Sequence, residues 1–307
     1  MISVVIPVYN CEKTIKACIN SLLKQDIDME IVVVDNNSTD DTVNIINSYI
    51  QKYDFIKLAA CAEQGVSSAR NTGIRHAAGD YIFFIDGDDT LMPGALSALY
   101  GKARETGADI CFCNIMLISG KKARALDGDA EDVFVKNGGI AALFYNKLPA
   151  YIMYSCFKLY RRDLIIDNNI LFDPAVSMGE DLLFNLSAYD FASGMYYLSD
   201  ALYEYYMKPG GLNLKRQANL IEVKTMLHSR IKEYLSANNQ PLDNCYMVLI
   251  NDIYRLMQNE MHDGPGGIRR VLRLGLVAEI LRSGIYKRLE FRKKLFYIFL
   301  KLFGRRK

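Results

Sequence analysis

Gly79-Asp80-Tyr81-Ile82-Phe83-Phe84-Ile85-Asp86-Gly87-Asp88-Asp89 is the stretch whose reading decides the architecture. The apolar run from Tyr81 to Ile85 is too short for a buried helix, and its aromatic and β-branched content suits a strand buried on both faces. It ends abruptly in three carboxylates within four residues, with Gly87 permitting a sharp turn between them. Open α/β sheets bind their ligands outside the carboxyl ends of their strands. Such a corner suits Mn²⁺ or Mg²⁺, hard cations that take oxygen ligands and complete their shell with phosphate oxygens. A diphosphate ligand is the expectation. The same residues also read as a solvated Asp/Gly turn before a helix opened by Pro93, and the stretch alone does not choose between the two.

Upstream, Ile2 to Val8 reads as a strand, with Pro7 better suited to its terminus than to a central ladder position. Asn10 is placed to cap a helix whose apolar stripe is Ile15, Cys18, Ile19, Leu22 and Leu23. Glu30 to Asp35 is a second buried strand ending in a carboxylate, and Ser38 with Asp41 resembles a capping box for the next helix. Phe55 to Ala60 is a third strand. Gly65 to Ala78 gives a loop and a helix carrying Arg70 and Asn71, stopped by Gly79. Downstream, Pro93 to Thr106 reads as a helix and Asp109 to Leu117 as a strand. Strand and helix alternate at the short intervals of right-handed βαβ units, so the fold class is α/β: a Rossmann-like, mostly parallel sheet flanked by helices.

Beyond Gly120 the pattern is mixed. It predicts a strand over Tyr154 to Tyr160, a helix over Glu180 to Tyr189, and short strands at Met195 to Leu198 and Ala201 to Tyr206. Lys208 to Asn213 is a cluster of breakers suited to a loop, two helices follow over Lys215 to Ser236 and Leu242 to Met261, and His262 to Gly267 reads as a hinge. This divides the chain into a domain over 1–213 with halves 1–118 and 119–213, a helical extension and hinge over 214–267, and a tail over 268–307.

Half of the 307 residues are hydrophobic, which is incompatible with a disordered chain. The seven cysteines include no C-x-x-C pair and read as reduced, structural residues, and none of the three histidines has ligand spacing to another. Neither pattern suits zinc. Met1 is followed directly by a strand-like run, so no signal peptide is expected and the expected compartment is the cytoplasm. The net charge of +2 conceals a polar chain: from Ile268 onward thirteen Lys and Arg stand against two Asp and Glu, a net of +11 that leaves −9 on the rest.

With these acidic and polar strand ends placed, the chain resembles the family 2 glycosyltransferases of GT-A nucleotide-sugar fold. The resemblance rests on Val4-Val5-Ile6-Pro7-Val8-Tyr9-Asn10, Ile31-Val32-Val33-Val34-Asp35, Ser67-Ser68-Ala69-Arg70-Asn71-Thr72-Gly73, Phe84-Ile85-Asp86-Gly87-Asp88-Asp89 and Gly179-Glu180-Asp181, in the family's order. Lys158-Leu159-Tyr160-Arg161-Arg162-Asp163-Leu164, ahead of the last motif, is similar to bacterial enzymes that build surface polysaccharides. The resemblance implies a nucleotide-binding half over 1–118 and an acceptor-side half over 119–213. It implies a UDP-sugar donor against Pro7, Tyr9, Asn10, Asp35, Asn36, Arg70, Asp86 and Gly87, with Tyr9 on the uracil ring and Asp35 on its imide. Asp88 and Asp86 would hold Mn²⁺ or Mg²⁺, with Asp89 supporting them. Asp181 would be the base that deprotonates a glycan or lipid-linked acceptor, with inversion at the anomeric carbon.

Each of these residues also has a plain structural reading. Tyr9 can be a packing residue, Asp35 a turn residue, Arg70 a surface helix charge, and Asp181 an acid favoured by a helix dipole. Asn36 stands where the family often has a second Asp, so a charged ribose contact is lost there. The chain has no Trp and no Gln-x-x-Arg-Trp motif, which points to one sugar per event rather than processive synthesis.

In the tail, Phe291, Leu295, Ile298, Phe299, Leu302 and Phe303 share one helical face, with Arg292, Lys293, Lys294 and Lys301 largely off it. The longest uninterrupted apolar run, Leu295 to Leu300, is far short of the ~20 residues that span a bilayer. The tail is expected to lie on an anionic membrane surface, peripheral on its cytoplasmic face; a core or dimer helix is the other reading. Nucleic acid is not an expected partner, because aromatics line one face and no recognition module is evident. A non-catalytic nucleotide-sugar-binding or membrane-scaffold protein of the same fold is the competing function. A nicotinamide-dependent oxidoreductase is not supported, since Tyr9-Asn10-Cys11 follows the first strand where a glycine-rich turn would be needed.

Overall fold

Seven consecutive buried residues, Ile2–Val8, form β1 at the centre of a parallel block. On one side it pairs with β2 (Met29–Asp35), which in turn pairs with β3 (Ile56–Ala60); on the other it pairs with β4 (Tyr81–Phe84). Strands covered on both faces read as continuous apolar runs, as β1, β2 and β4 do. Helix α1 (Ile15–Leu22) turns Ile15, Cys18, Ile19 and Leu22 inward, and α2 (Thr42–Ile50) and α3 (Val66–His76) make the next two crossovers. The computed structural model describes residues 1–126, 131–136, 154–176, 179–207, 220–237, 239, 242, 250, 253, 257, 271–272 and 275–283. The chain divides into two compact units, Met1–Gly211 and Leu212–Lys307.

After β4 come β5 (Thr90–Leu91), α4 (Ala95–Thr106), β6 (Ile110–Ser119), β7 (Lys122–Ala125), β8 (Val133–Lys136) and β9 (Lys158–Arg161). They are followed by α5 (Arg162–Asp167), α6 (Glu180–Phe191) and β10 (Gly194–Tyr206). The sheet runs β3-β2-β1-β4-β9-β6-β10-β5, with β7 beside β6 and β8 beside β10. The α/β class is as expected. Past β4 the sheet becomes mixed, because β9 inserts antiparallel between β4 and β6 while β6 and β10 are parallel to each other. Phe84 of β4, Tyr160 of β9, Phe172 and Phe184 of α6 interlock, with the rings of Phe172 and Phe184 stacked at 3.9 Å and Phe84 edge-on to the other three. This aromatic cluster fixes the first turn of α6 relative to the end of β4.

Several local expectations are corrected. Pro7 lies next to the last residue of β1, near the strand terminus as expected, although β1 is itself a central strand. Ile85 N donates to the Val5 carbonyl, so β1's odd-numbered residues face β4, and pairing with β4 ends at Val5–Phe84, before Pro7 would have to donate. Asn10 does not cap α1, which begins five residues further on, at Ile15, behind Thr14. Ser38 and Asp41 form no capping box, since α2 starts at Thr42 and the Ser38 N–H is taken by the Asp35 carboxylate. Gly94, not Pro93, precedes α4, and α3 ends at His76, before Gly79. Tyr154 to Phe157 is not strand: Phe157 has φ 55°, and β9 begins only at Lys158. The two short strands expected over 195–206 are one strand, with its register shifting between Leu198 and Ala201.

In the second unit, α7 (Leu220–Ala237) and α8 (Gly275–Arg282) are linked by Glu279, which pairs with Lys232 and lies 3.6 Å from His228 Nε2. Among the described residues no helix is long and apolar enough to cross a membrane. The expected loop at Lys208 to Asn213, the hinge at His262 to Gly267 and the amphipathic face from Phe291 lie outside the described residues, as does most of the helix expected over 242–261.

Candidate active site

Parallel pairing brings the carboxyl ends of β1, β2 and β4 to one edge of the sheet: Val8 lies opposite Asp35, Asn36 N donates to the Val8 carbonyl, and Ile85 continues β4 beside Val5. Three of the expected site segments therefore meet. The Tyr9 ring is half exposed (50%) at this edge. Asn10 and Asn36 serve as struts between loops. Asn10, with φ 52°, accepts from Thr39 N at 2.8 Å, while its own N–H donates to Ser38 Oγ at 3.0 Å. Asn36 is buried, accepting from Gly65 N at 2.7 Å and donating to the Glu63 carbonyl at 2.8 Å, which shapes the entry to α3. Gly87 stands at a close approach: a Cβ there would lie 3.0 Å from Val8 Cγ1, 3.3 Å from Cys11 Sγ and 3.6 Å from the Pro7 carbonyl. The acidic loop packs so closely on the end of β1 that a side chain at this position would require Val8 and Cys11 to give way.

Ligand oxygens of Asp86, Asp88 and Asp89 lie within 4.8 Å of one another. Asp89 is buried and committed to β10, accepting from Tyr203 OH at 2.7 Å and from Tyr206 N at 3.1 Å. Burial and the neighbouring Asp86 push its carboxyl up to about 8. Asp86 and Asp88 are half-buried, and an all-oxygen pair of this kind fits a hard divalent cation that keeps other ligand positions for phosphate or water. Burial also raises the Asp86 pKa, against the pull of Arg70, but 36% of its side chain still meets solvent, which tempers that push.

Arg70, buried in α3, joins this cluster to the second acidic site. Its Nη2 lies 3.1 Å from Asp86 Oδ1, and its Nη1 lies 3.0 Å from Asp181 Oδ1 and 3.5 Å from Glu180 Oε1. Its guanidinium also covers the Phe172 ring at 5.3 Å. Burial opposes its charge, but Asp181, Asp86 and Glu180 outweigh that and hold its pKa above the ordinary value. It is therefore permanently cationic, and it faces the carboxylates of both acidic sites.

Asp181 and Glu180 occupy the first turn of α6, where the helix dipole favours negative charge. Burial and Asp181 push the Glu180 carboxyl upward, against Arg70. Asp181 Oδ1 takes hydrogen bonds from both Arg70 and Ser155 Oγ, whereas none of the described residues donates to its Oδ2. That oxygen can accept a proton. Sequence reasoning missed Ser155, which carries no motif; Tyr203, lost in an apolar run; and the strut role of Asn71. The Asn71 side chain grips the Phe172 backbone at both its N–H and its carbonyl, 2.9 and 2.8 Å, and so holds that ring under Arg70.

The chain is similar to an uncharacterized glycosyltransferase, EpsJ, of Bacillus subtilis, at 34% identity over 215 residues, 69% of this chain and 62% of that protein. It is also similar to a poly(ribitol-phosphate) β-glucosyltransferase of Bacillus spizizenii, at 32% identity over 68% of this chain and 33% of that protein. It thus spans less than two thirds of the length of these curated relatives. In solved structures it is similar in fold to S. aureus TarS 1-349 in complex with UDP-GlcNAc, with TM-score 0.74 and 21% identity, covering 99% of this chain and 88% of that one. The sequence profile of glycosyl transferase family 2 matches residues 3–168, more than half of the chain, and the chain belongs to that family.

Proposed function

We propose that the protein is a metal-dependent, inverting glycosyltransferase that moves one sugar from a UDP-sugar to an acceptor hydroxyl of a surface glycan or lipid-linked glycan. The observation that carries this reading is the pairing of two acidic sites through one buried cation, with Asp86 and Asp181 each about 3 Å from Arg70. In this reading Tyr9 stacks on the base, Asp35 accepts from it, and Asp86 and Asp88 hold the divalent cation. When bound, that cation supplies counter-charge to the departing diphosphate.

Asp181 Oδ2 takes the acceptor's hydroxyl proton as the acceptor oxygen forms its bond to the anomeric carbon. The bond from that carbon to the diphosphate oxygen breaks on the opposite face, and UDP leaves with the electron pair, so the configuration inverts. Arg70 places a fixed positive charge beside both carboxylates. The acceptor class follows the names of relatives that act on poly(ribitol-phosphate). Peripheral attachment through the basic tail 268–307 belongs to the same proposal, and full liposome binding after deletion of Phe291 to Lys307 would refute it.

The test is UDP release from a panel of UDP-sugars, with and without Mn²⁺, for the native chain, Asp88→Ala and Asp181→Asn. Metal-dependent release from one donor, abolished by Asp88→Ala and reduced at least a hundredfold by Asp181→Asn, is the expected result. Absence of both turnover and metal-dependent UDP binding would leave the membrane-scaffold reading in its place.

A further inference from the structure

Beneath the contact between Ser155 and Asp181 lies a buried polar core that the reaction above does not use. Lys158 and Tyr160 stand two residues apart on β9 and so project from the same face of the sheet. Both donate to Asn185 Oδ1, Tyr160 OH at 2.7 Å and Lys158 Nζ at 3.2 Å. Asn185 follows Asp181 by one turn of α6, and its Nδ2 donates to the Asp181 carbonyl at 2.8 Å. The same two side chains also reach the turn that carries Ser155: Lys158 Nζ donates to the Tyr154 carbonyl, and Tyr160 OH lies 3.4 Å from the Ser155 carbonyl. Ser155, Lys158, Tyr160 and Asn185 are fully buried. One strand face therefore fixes both partners of the Ser155–Asp181 contact, the serine through its own turn and the aspartate through Asn185.

We propose, building on the assignment of Asp181 as the base, that Ser155 is a positioning residue: with its turn held by Lys158 and Tyr160, its hydroxyl anchors Asp181 Oδ1 and leaves Oδ2 to receive the acceptor's proton. Arg70, donating from α3, restrains Oδ1 from one side only. A second donor from the turn before β9 fixes the carboxylate plane. Burial pulls the Lys158 pKa well down, with Asp181 and Cys156 opposing, and an uncharged amine still has N–H groups for Tyr154 O and Asn185 Oδ1. The core can thus be dry and satisfied without a buried charge. Charged or titratable groups bearing on Asp181 are Arg70 from α3, Asp86 beyond it, Glu180 on the same helix, Lys158 and Tyr160 from β9, and Cys156 in the turn.

The experiment compares native protein, Ser155→Ala, Tyr160→Phe, Asp181→Asn and the Ser155→Ala/Asp181→Asn pair. Carboxyl ¹³C NMR of aspartate-labelled protein follows the titration of Asp181, whose resonance is the one lost in Asp181→Asn; UDP release with Mn²⁺ follows turnover. Removing a hydrogen bond from an ionised carboxylate disfavours that form, so Ser155→Ala should move the Asp181 midpoint upward. It should lower kcat roughly 10- to 100-fold through misorientation, with donor KM and UDP affinity unchanged, and should cost nothing further in Asp181→Asn. Tyr160→Phe keeps the ring packing and should shift the midpoint in the same direction by less, which preserves the test if Ser155→Ala does not fold. An unmoved midpoint, or lost UDP affinity with an unmoved midpoint, overturns the proposal and leaves Ser155 a packing residue. Native turnover in Asp181→Asn is a separate result: it removes the base assignment and the positioning role with it.

Discussion

Arg70 Nη1 donates to Asp181 Oδ1 at 3.0 Å across 111 residues of sequence, while the same guanidinium reaches Asp86 with its other nitrogen. One buried cation thereby serves both acidic sites. Arg70→Ala would leave Asp86, Glu180 and Asp181 uncompensated in a largely dry site. Breaking a buried ion pair from one side costs about 3–5 kcal/mol, so the variant should be strongly destabilised as well as inactive. Arg70→Lys should not restore activity, since a single ammonium cannot present two nitrogens to carboxylates on either side. Urea denaturation and UDP release on both variants check this; native-like turnover in Arg70→Lys would show that only the charge is needed.

The exposed Tyr9 ring at the end of β1 has a different energetic signature. If it stacks on the nucleobase, Tyr9→Ala should weaken UDP binding by about 1–3 kcal/mol, roughly 5- to 150-fold in Kd. Tyr9→Phe should bind UDP as the native chain does. Because the side chain is half in solvent, folding stability should barely change, which separates this result from that of Arg70. Calorimetric titration with UDP and Mn²⁺ decides it.

The parts of this site that are legible in the sequence are those written locally. A buried strand ending in acid announces itself within about ten residues, so the residues themselves place Asp35, Asp86 and Asp88 at strand ends. The partners of Arg70 are not written that way. A charge on a helix face reads the same whether it meets phosphate or carboxylate, and its burial is set by Phe172 and α6, a hundred residues further on. Ser155 is invisible for a similar reason: the left-handed backbone of Phe157 delays the expected strand to Lys158, and the serine lies in the turn before it, against Asp181. The two-residue β5 escapes notice because Thr90 and Leu91 form no run, and β10 reads as two strands because Ser199 and Asp200 interrupt its apolar pattern.

Gly73, within the motif that carries Arg70, is explained by packing alone. A Cβ there would lie 2.2 Å from Val5 Cγ1, in the middle of buried β1. Ala is favoured over Gly in a helix by about 1 kcal/mol. Overpacking costs about 1–3 kcal/mol, and at this distance the clash should win, making Gly73→Ala net destabilising. Adding Val5→Ala should recover part of the loss, a non-additive cycle measurable by urea denaturation. Strict additivity would show that α3 moves aside without strain.

Glu30 gives the fold a specific acid sensitivity. It is buried on β2, accepts from Ser3 Oγ and Ala78 N, each at 2.6 Å, and pairs with Lys57 at 2.7 Å. Burial alone would raise its pKa, but the bonds from Lys57, Ser3 and Ala78 prevail and hold it below the ordinary glutamate value. The folded state thus favours the ionised form. Its contribution is fully present above the unfolded-state pKa of about 4.3 and is lost as the pH falls through the lower folded value. Glu30→Gln keeps the shape and removes the charge. It should be less stable at pH 7 by about 1.5 kcal/mol, the lower end for a charged hydrogen bond because Lys57 is 56% exposed. The difference between variant and native should shrink steadily from about pH 5 toward pH 3. Urea midpoints measured across that range test it: a constant difference would mean that Glu30 holds the β2–α3 corner by its shape and neutral hydrogen bonds, with no contribution from its charge.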